Sequence, residues 1–144
     1  MDYQNLENAK RKLTEGNHTC VLCCGDTFHT SAYRGVKPLV QWLSSGRDFS
    51  QFSAADKVIG RATAFLYLLL GIRTVYAHVI SKPALAVFQA NGIYSEYGQL
   101  VENIINRTGD GLCPFEEVVL RIEDPQQAHT AILQKMQQMN ISLS

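Results

Sequence analysis

The sequence carries no excess charge of either sign: 13 lysines and arginines balance 13 aspartates and glutamates. A dedicated nucleic-acid binder shows a basic excess, so no nucleic acid is expected as a partner. Long apolar runs are missing as well. The longest, Ala64–Ile72 (AFLYLLLGI), falls far short of the roughly 20 residues that a membrane-spanning helix needs. The opening residues, MDYQNLENAKRKL, are polar and charged and do not read as a secretory signal. No membrane partner and a cytoplasmic location are therefore expected. Cysteine is limited to four residues, which in a reducing compartment default to free thiols. Internal repeats and low-complexity linkers are absent, so residues 1–144 read as a single domain. A chain of this length buries about 68–70% of its unfolded surface and needs no covalent staple.

What is present centres on Ser53–Ser81. Ser53 followed by Asp56 fits a capping box at a helix start. The run Val58–Leu70 is apolar on nearly every face, as in a helix covered on more than one side. Gly60, Thr63 and Ala64 form a small-residue stripe that lets a neighbouring element approach. Gly71 stops this helix. Thr74–Ile80 (TVYAHVI) then reads as a strand buried on both faces.

Around this unit the pattern predicts an amphipathic helix over residues 2–15, and a hairpin from His18–Cys24 and Thr27–Tyr33 turned by Gly25-Asp26. A helix is predicted over Gly35–Leu43, a polar loop over Ser44–Ser50, and a helix opened by Pro83 and closed by Gly92. A strand is predicted over Ile93–Val101 and a glycine-bearing loop over Asn103–Cys113. Pro114–Leu120 reads as a short helix or the start of a strand, and Pro125–Met139 as a C-terminal helix. The fold class implied is α/β: a three-layer α/β/α sandwich with a mixed sheet, antiparallel in the opening hairpin and parallel where helices cross over.

Four stretches carry a resemblance: Arg34–Leu39 (RGVKPL), Asp56–Ala62 (DKVIGRA), Val79–Leu85 (VISKPAL) and Ile105–Pro114 (INRTGDGLCP). Together they span roughly residues 18 to 120. They resemble a small family of unknown function within the cytidine-deaminase-like fold. The resemblance implies a hairpin followed by two helices whose N-termini meet over one end of the sheet, and it implies no reaction. Zinc deaminases need a His or Cys ligand with a Glu two residues on, and a Pro-Cys-x-x-Cys pair. None of the four histidines here gives His-x-Glu. Asp56-Lys57 stands where the ligand helix of the family is expected to start, and Ser81-Lys82-Pro83-Ala84 where the cysteine pair is expected. No zinc, no other metal and no cofactor are expected.

Several groups remain as site candidates. Cys113 follows a glycine-flanked loop and precedes Pro114, at a helix start where the dipole favours a thiolate, although Glu116 and Glu117 oppose ionisation. The alternative is a capping or packing cysteine. Asn106, Arg107, Thr108, Gly109, Asp110 and Gly111 offer an amide, a guanidinium, a hydroxyl, a carboxylate and exposed backbone within six residues, a composition suited to a polar or phosphorylated ligand or to a self-bonded loop. Asp56 with Lys57, and Ser81 with Lys82, stand at two neighbouring helix starts and make an anion site or simply caps and a salt bridge. Cys20, Cys23 and Cys24 contain a Cys-x-x-Cys, but on a strand positions 20 and 23 face opposite ways, so they read as small buried residues. His29 and His78 read as satisfied core histidines in strands.

The expectation is a protein without zinc ligands that binds a small nucleotide-like or phosphorylated molecule over the helix N-termini. Two alternatives stay open. One is an enzyme that uses Cys113 as nucleophile or group carrier, with Asp110 or Lys57 assisting proton transfer. The other is a ligand-free interaction module. Self-association into a homo-oligomer is left open.

Overall fold

A computed structural model describes residues 3–143. The helix predicted over residues 2–15 is α1 (Tyr3–Glu15), with Asp2 outside the described residues. Then come β1 (Cys20–Cys24), β2 (Thr27–Ser31), α2 (Lys37–Ser44), β3 (Ser53–Ile59), α3 (Arg61–Leu70), β4 (Thr74–Ser81), α4 (Lys82–Ala90), β5 (Tyr94–Val101), α5 (Pro114–Val119) and α6 (Pro125–Gln138). The five strands form one mixed sheet in the order β2-β1-β3-β4-β5. β1 runs antiparallel to both β2 and β3, while β3, β4 and β5 run parallel.

Strand alternation sends side chains into two cores. Val21, Cys23 and Ala55 pack with Ala9 and Leu13 of α1 on one face. Cys20, Leu22, Ala54, Val75 and Ala77 face the larger core built by α2 to α6. Cys20 and Cys23 therefore point opposite ways, as expected. Among the described residues no helix is long and apolar enough to cross a membrane.

The central expectation needs one correction. Ser53 does not cap a helix, and Asp56 does not complete a capping box. Ser53–Ile59 is the middle strand of the sheet, paired on one edge with β1 and on the other with β4. Its sequence, SAADKVI, is rich in small and polar residues that locally suit a helix start. Backbone pairing on both edges outweighs that weak local preference. The helix starts at Gly60, so the small-residue stripe opens at a cap position and not inside the helix. Gly71 ends it as expected, in the left-handed region at φ 80°.

The two histidines also differ from expectation. His29 sits half-buried among Trp42, Phe49 and Phe52, with ring centroids 6.5, 5.4 and 5.5 Å away. Its Nε2 is buried without a hydrogen-bond partner. His78 is exposed, its Nδ1 3.2 Å from the Tyr76 hydroxyl. Neither is a satisfied core histidine: His29 is packed among aromatic rings and its Nε2 has no partner, and His78 faces solvent.

Candidate functional site

Parallel β3 and β4 end in register, Ile59 opposite Ile80, so Gly60 and Ser81 stand side by side and α3 and α4 start together. The two starts are satisfied differently. Ser81 caps α4 in the ordinary way, its Oγ accepting from the Ala84 amide at 3.2 Å. Gly60 has no side chain, and α3 takes its cap from another helix. The Glu116 carboxylate accepts from the Arg61 amide at 2.7 Å and from the Ala62 amide at 2.9 Å. The Arg61 guanidinium reaches back to α5, donating to the carbonyls of Val119 at 3.2 Å and Ile122 at 2.5 Å. Glu116 is only 7% exposed. Burial pushes its pKa up, and the two amides and the Arg61 charge act against that rise.

Beside this cap runs a buried polar row. The Tyr67 hydroxyl of α3 donates to Asp56 Oδ2 at 2.6 Å, and the Cys20 sulfur lies 3.0 Å from the same hydroxyl. Asp56 Oδ1 accepts from the Val58 amide at 3.3 Å. Burial raises the Asp56 pKa to about 6, against the hydrogen bonds from Tyr67 and the backbone that favour the carboxylate. Burial and the neighbouring Asp56 carboxylate push the Cys20 thiol well up, and the Tyr67 phenol likewise. Near neutral pH the row is a neutral thiol, a neutral phenol and a carboxyl able to exchange a proton. Cys20 is thus more than the small packing residue that its strand position suggests.

A two-part cleft opens above these groups. Its inner compartment, about 370 Å³, is lined in part by Cys20, Asp56, Lys57, Thr63 and Glu116. Its outer compartment, about 840 Å³, is lined in part by Lys37, Asn106, Arg107, Thr108 and Met139. Tyr33, Arg34, Ile104, Cys113 and Phe115 line both, so the two are continuous. Tyr33 is 48% exposed at the rim. Its carbonyl accepts from Thr19 Oγ1 at 2.7 Å, and Lys37 Nζ lies 4.9 Å from the centre of its ring. Among the described residues no carboxylate comes within ion-pair distance of Arg34, Lys37, Lys57 or Arg107.

The cleft gathers Asp56, Lys57, Asn106, Arg107, Thr108 and Cys113 of the residues singled out from sequence. Asp56 and Lys57 reach it from β3, not from a helix start. Ser81 and Lys82 lie outside its lining. Ser81 is fully buried as a cap, and Lys82 pairs with Glu102 at 2.5 Å on the surface. Gly109, Asp110 and Gly111 also lie outside it. Asp110 is exposed, and hydrogen bonds from Thr108 and Asn106 hold its carboxyl below the usual carboxylate range. Asn106 Oδ1 accepts from the amides of Gly109 and Asp110, so this turn is largely bonded to itself. Cys113 is partly exposed at the start of the six-residue α5. Glu116 does not confront Cys113 as the sequence suggests, because its carboxylate turns to α3.

Sequence reasoning missed Cys20, Tyr33, Arg34, Lys37, Tyr67 and Glu116 as members of the site. Arg34 and Lys37 lie in one of the four stretches that carry the resemblance, which was a usable signal. Among the described residues no three His, Cys, Asp or Glu side chains gather in a metal-holding group.

Comparison with known proteins matches residues 8–136 to a family model described as a domain of unknown function, DUF1893, named for TM1506. Among solved structures, the chain is similar to a DUF1893 family protein, TM1506, from Thermotoga maritima. The TM-score is 0.87 at 26% identity, covering 94% of this chain and 92% of that one. No curated protein matches. On a match covering nearly the whole sequence, the chain belongs to the DUF1893 family.

Proposed function

We propose that this protein binds a small phosphorylated, nucleotide-like ligand in the cleft between β3, the Tyr33–Lys37 segment and the Asn106–Cys113 loop. The observation that carries this reading is the set of cations around one concavity: Arg34, Lys37, Lys57 and Arg107, none with a carboxylate partner among the described residues. Unpaired cations lining a cleft seek an anion, and a planar exposed aromatic at the rim offers a stacking surface. The volume suits a small ligand. We also read the fold as cytidine-deaminase-like, supported by the strand order and the paired helix starts at Gly60 and Ser81. Neither start carries a His, Cys or Glu in its first residues, Gly60-Arg61-Ala62 or Ser81-Lys82-Pro83-Ala84. We therefore take the protein for a member of that fold without zinc ligands.

Thermal unfolding with inorganic phosphate, ribose 5-phosphate, AMP and ADP tests the proposal. A ligand at about 100 times its Kd stabilises by about 2.7 kcal/mol, so a true ligand raises Tm clearly. Arg34→Ala with Arg107→Ala should abolish the rise. No shift from any compound would overturn the reading.

A second reading uses Cys113 as a nucleophile. What favours it is that Cys113 is partly exposed and lines both compartments. A covalent adduct at Cys113 after incubation with an electrophilic substrate analogue, absent in Cys113→Ser, is its test.

A further inference from the structure

The cleft is electrically lopsided along its length. Its outer part presents Lys37 and Arg107 and shares Arg34 with the inner part. Its inner part ends on two buried carboxyls, Asp56 and Glu116. The start of α3, otherwise the natural seat for a bound anion, is already occupied by Glu116, whose oxygens accept from Arg61 and Ala62. The start of α4 is closed by the buried Ser81 and lies outside the lining. A phosphate pushed to the inner end would meet two carboxyls that offset Lys57 and the shared Arg34, and no open helix terminus.

Asp56 and Glu116 each accept one hydrogen bond on each oxygen, but both bonds to Glu116 are short, at 2.7 and 2.9 Å, whereas one of the two to Asp56 is long. A carboxylate offers about four acceptor sites. Asp56 uses one on each oxygen, and the Val58 contact is long at 3.3 Å. At 7% exposure it retains acceptor capacity in the wall of a cavity, where unused capacity is costly unless a donor arrives. Tyr67, Cys20 and the Lys57 amide already face it from the protein side, so a further donor has to come from the cavity.

Resting on the cleft reading above, we propose that the ligand binds in one orientation only. Its phosphate sits outside at Arg34, Lys37 and Arg107, and a hydrogen-bond-donating head, amino or hydroxyl, points inward to Asp56. The ligand class is thus a phosphate monoester with a donor-bearing head group, and Asp56 is the residue that reads that head. Bare phosphate and esters without a donor head bind more weakly. Lys57 lines the inner compartment and not the outer one.

Calorimetric titration of the full chain with four probes tests this: inorganic phosphate, phenyl phosphate, ribose 5-phosphate and AMP. Phenyl phosphate has a ring and a phosphate but no donor in its head. Ribose 5-phosphate offers hydroxyls, and AMP adds an amino group, so the two arms separate the donor types. A hydrogen bond to a charged group is worth roughly tenfold or more in affinity. At least one donor-bearing probe should exceed phenyl phosphate by about that factor. Asp56→Asn should reduce this preference severalfold, read as the ratio of each donor-bearing probe to phenyl phosphate so that the effect of the lost charge on the phosphate, common to all probes, cancels. Arg34→Ala should weaken all probes alike. If the wild-type protein binds phenyl phosphate as tightly as both donor-bearing probes, the orientation is wrong, whether or not Asp56→Asn folds. An unchanged preference in folded Asp56→Asn overturns it equally. If no probe binds the wild-type protein, the cleft is not a phosphate site and the orientation falls with it.

Discussion

The Glu116 carboxylate occupies the space that a β-carbon on Gly60 would need. An ideal β-carbon built there would stand 2.5 Å from Glu116 Oε1 and 2.6 Å from its carboxyl carbon. Residue 60 is glycine because α3 takes its cap from α5, and that cap requires the carboxylate to touch the backbone. Conformation does not demand glycine here, since φ is −99°.

Gly60→Ala is therefore expected to displace Glu116 and uncap α3. Loss of a cap together with local overpacking costs about 1–3 kcal/mol. Glu116→Ala should cost a similar amount, and the double variant should cost less than the two added, because both remove one interaction. Denaturant midpoints of the three variants check this. An unchanged midpoint in Gly60→Ala would show that Glu116 can leave without penalty.

Asp56 makes stability fall with rising pH. Its folded pKa of about 6 lies above the unfolded value of 3.8. Between these values the folded chain holds the extra proton, so its advantage is full below 3.8 and is lost as pH rises through 6. Asp56→Asn removes the titration and keeps an acceptor for Tyr67. Relative to wild type, this variant should gain stability between pH 4 and pH 8, on the order of 2–3 kcal/mol. Melting curves of both proteins at the two pH values decide it, and a constant difference would refute the assignment.

His29 and His129 act in the opposite sense. Each has a buried Nε2 without a partner, and burial lowers both from 6.5, with the Arg47 charge adding to the effect at His29. The unfolded chain takes up these protons first, so stability is full above 6.5 and falls as pH drops below it. His29→Phe, which suits the ring cluster of Trp42, Phe49 and Phe52, should flatten the acid side of the stability profile. The difference in Tm between pH 5 and pH 7.5 should shrink in the variant, and an equal difference would sink the idea.

Thiol accessibility divides the four cysteines. Cys113 and Cys24 are partly exposed, while Cys20 and Cys23 are buried. Brief alkylation should label Cys113 and Cys24 and spare Cys20 and Cys23 until the protein unfolds. Cys24 lies at the opposite end of the sheet, near Ser53 and Thr74. Excess AMP should then protect Cys113 and not Cys24, as mass mapping would show. Protection of both, or of neither, would place the ligand elsewhere.

Much of the fold was legible because its signals are local. The Gly25-Asp26 hairpin, the stop at Gly71, the β-branched strand before Ser81 and the C-terminal helix opened by Pro125 all arise within a few residues. β3 was not legible. A central strand is stabilised by partners on both edges, and those partners are β1 and β4, distant in the chain. Without them Ser53–Asp56 looks like a helix start.

Of the site, the sequence alone determined the chemistry that Asn106, Arg107, Thr108 and Cys113 bring to the wall and the absence of the deaminase ligand motifs, since both are read from short runs of residue types. Only the tertiary structure decided the rest. Glu116 meets Arg61 across 55 residues, and Cys20 meets Tyr67 across 47. Such pairs follow from sheet order and helix packing, which no local pattern encodes. Burial, which turns Asp56 from a surface cap into a proton-exchanging carboxyl in a cavity wall, belongs to the assembled core and not to the residue.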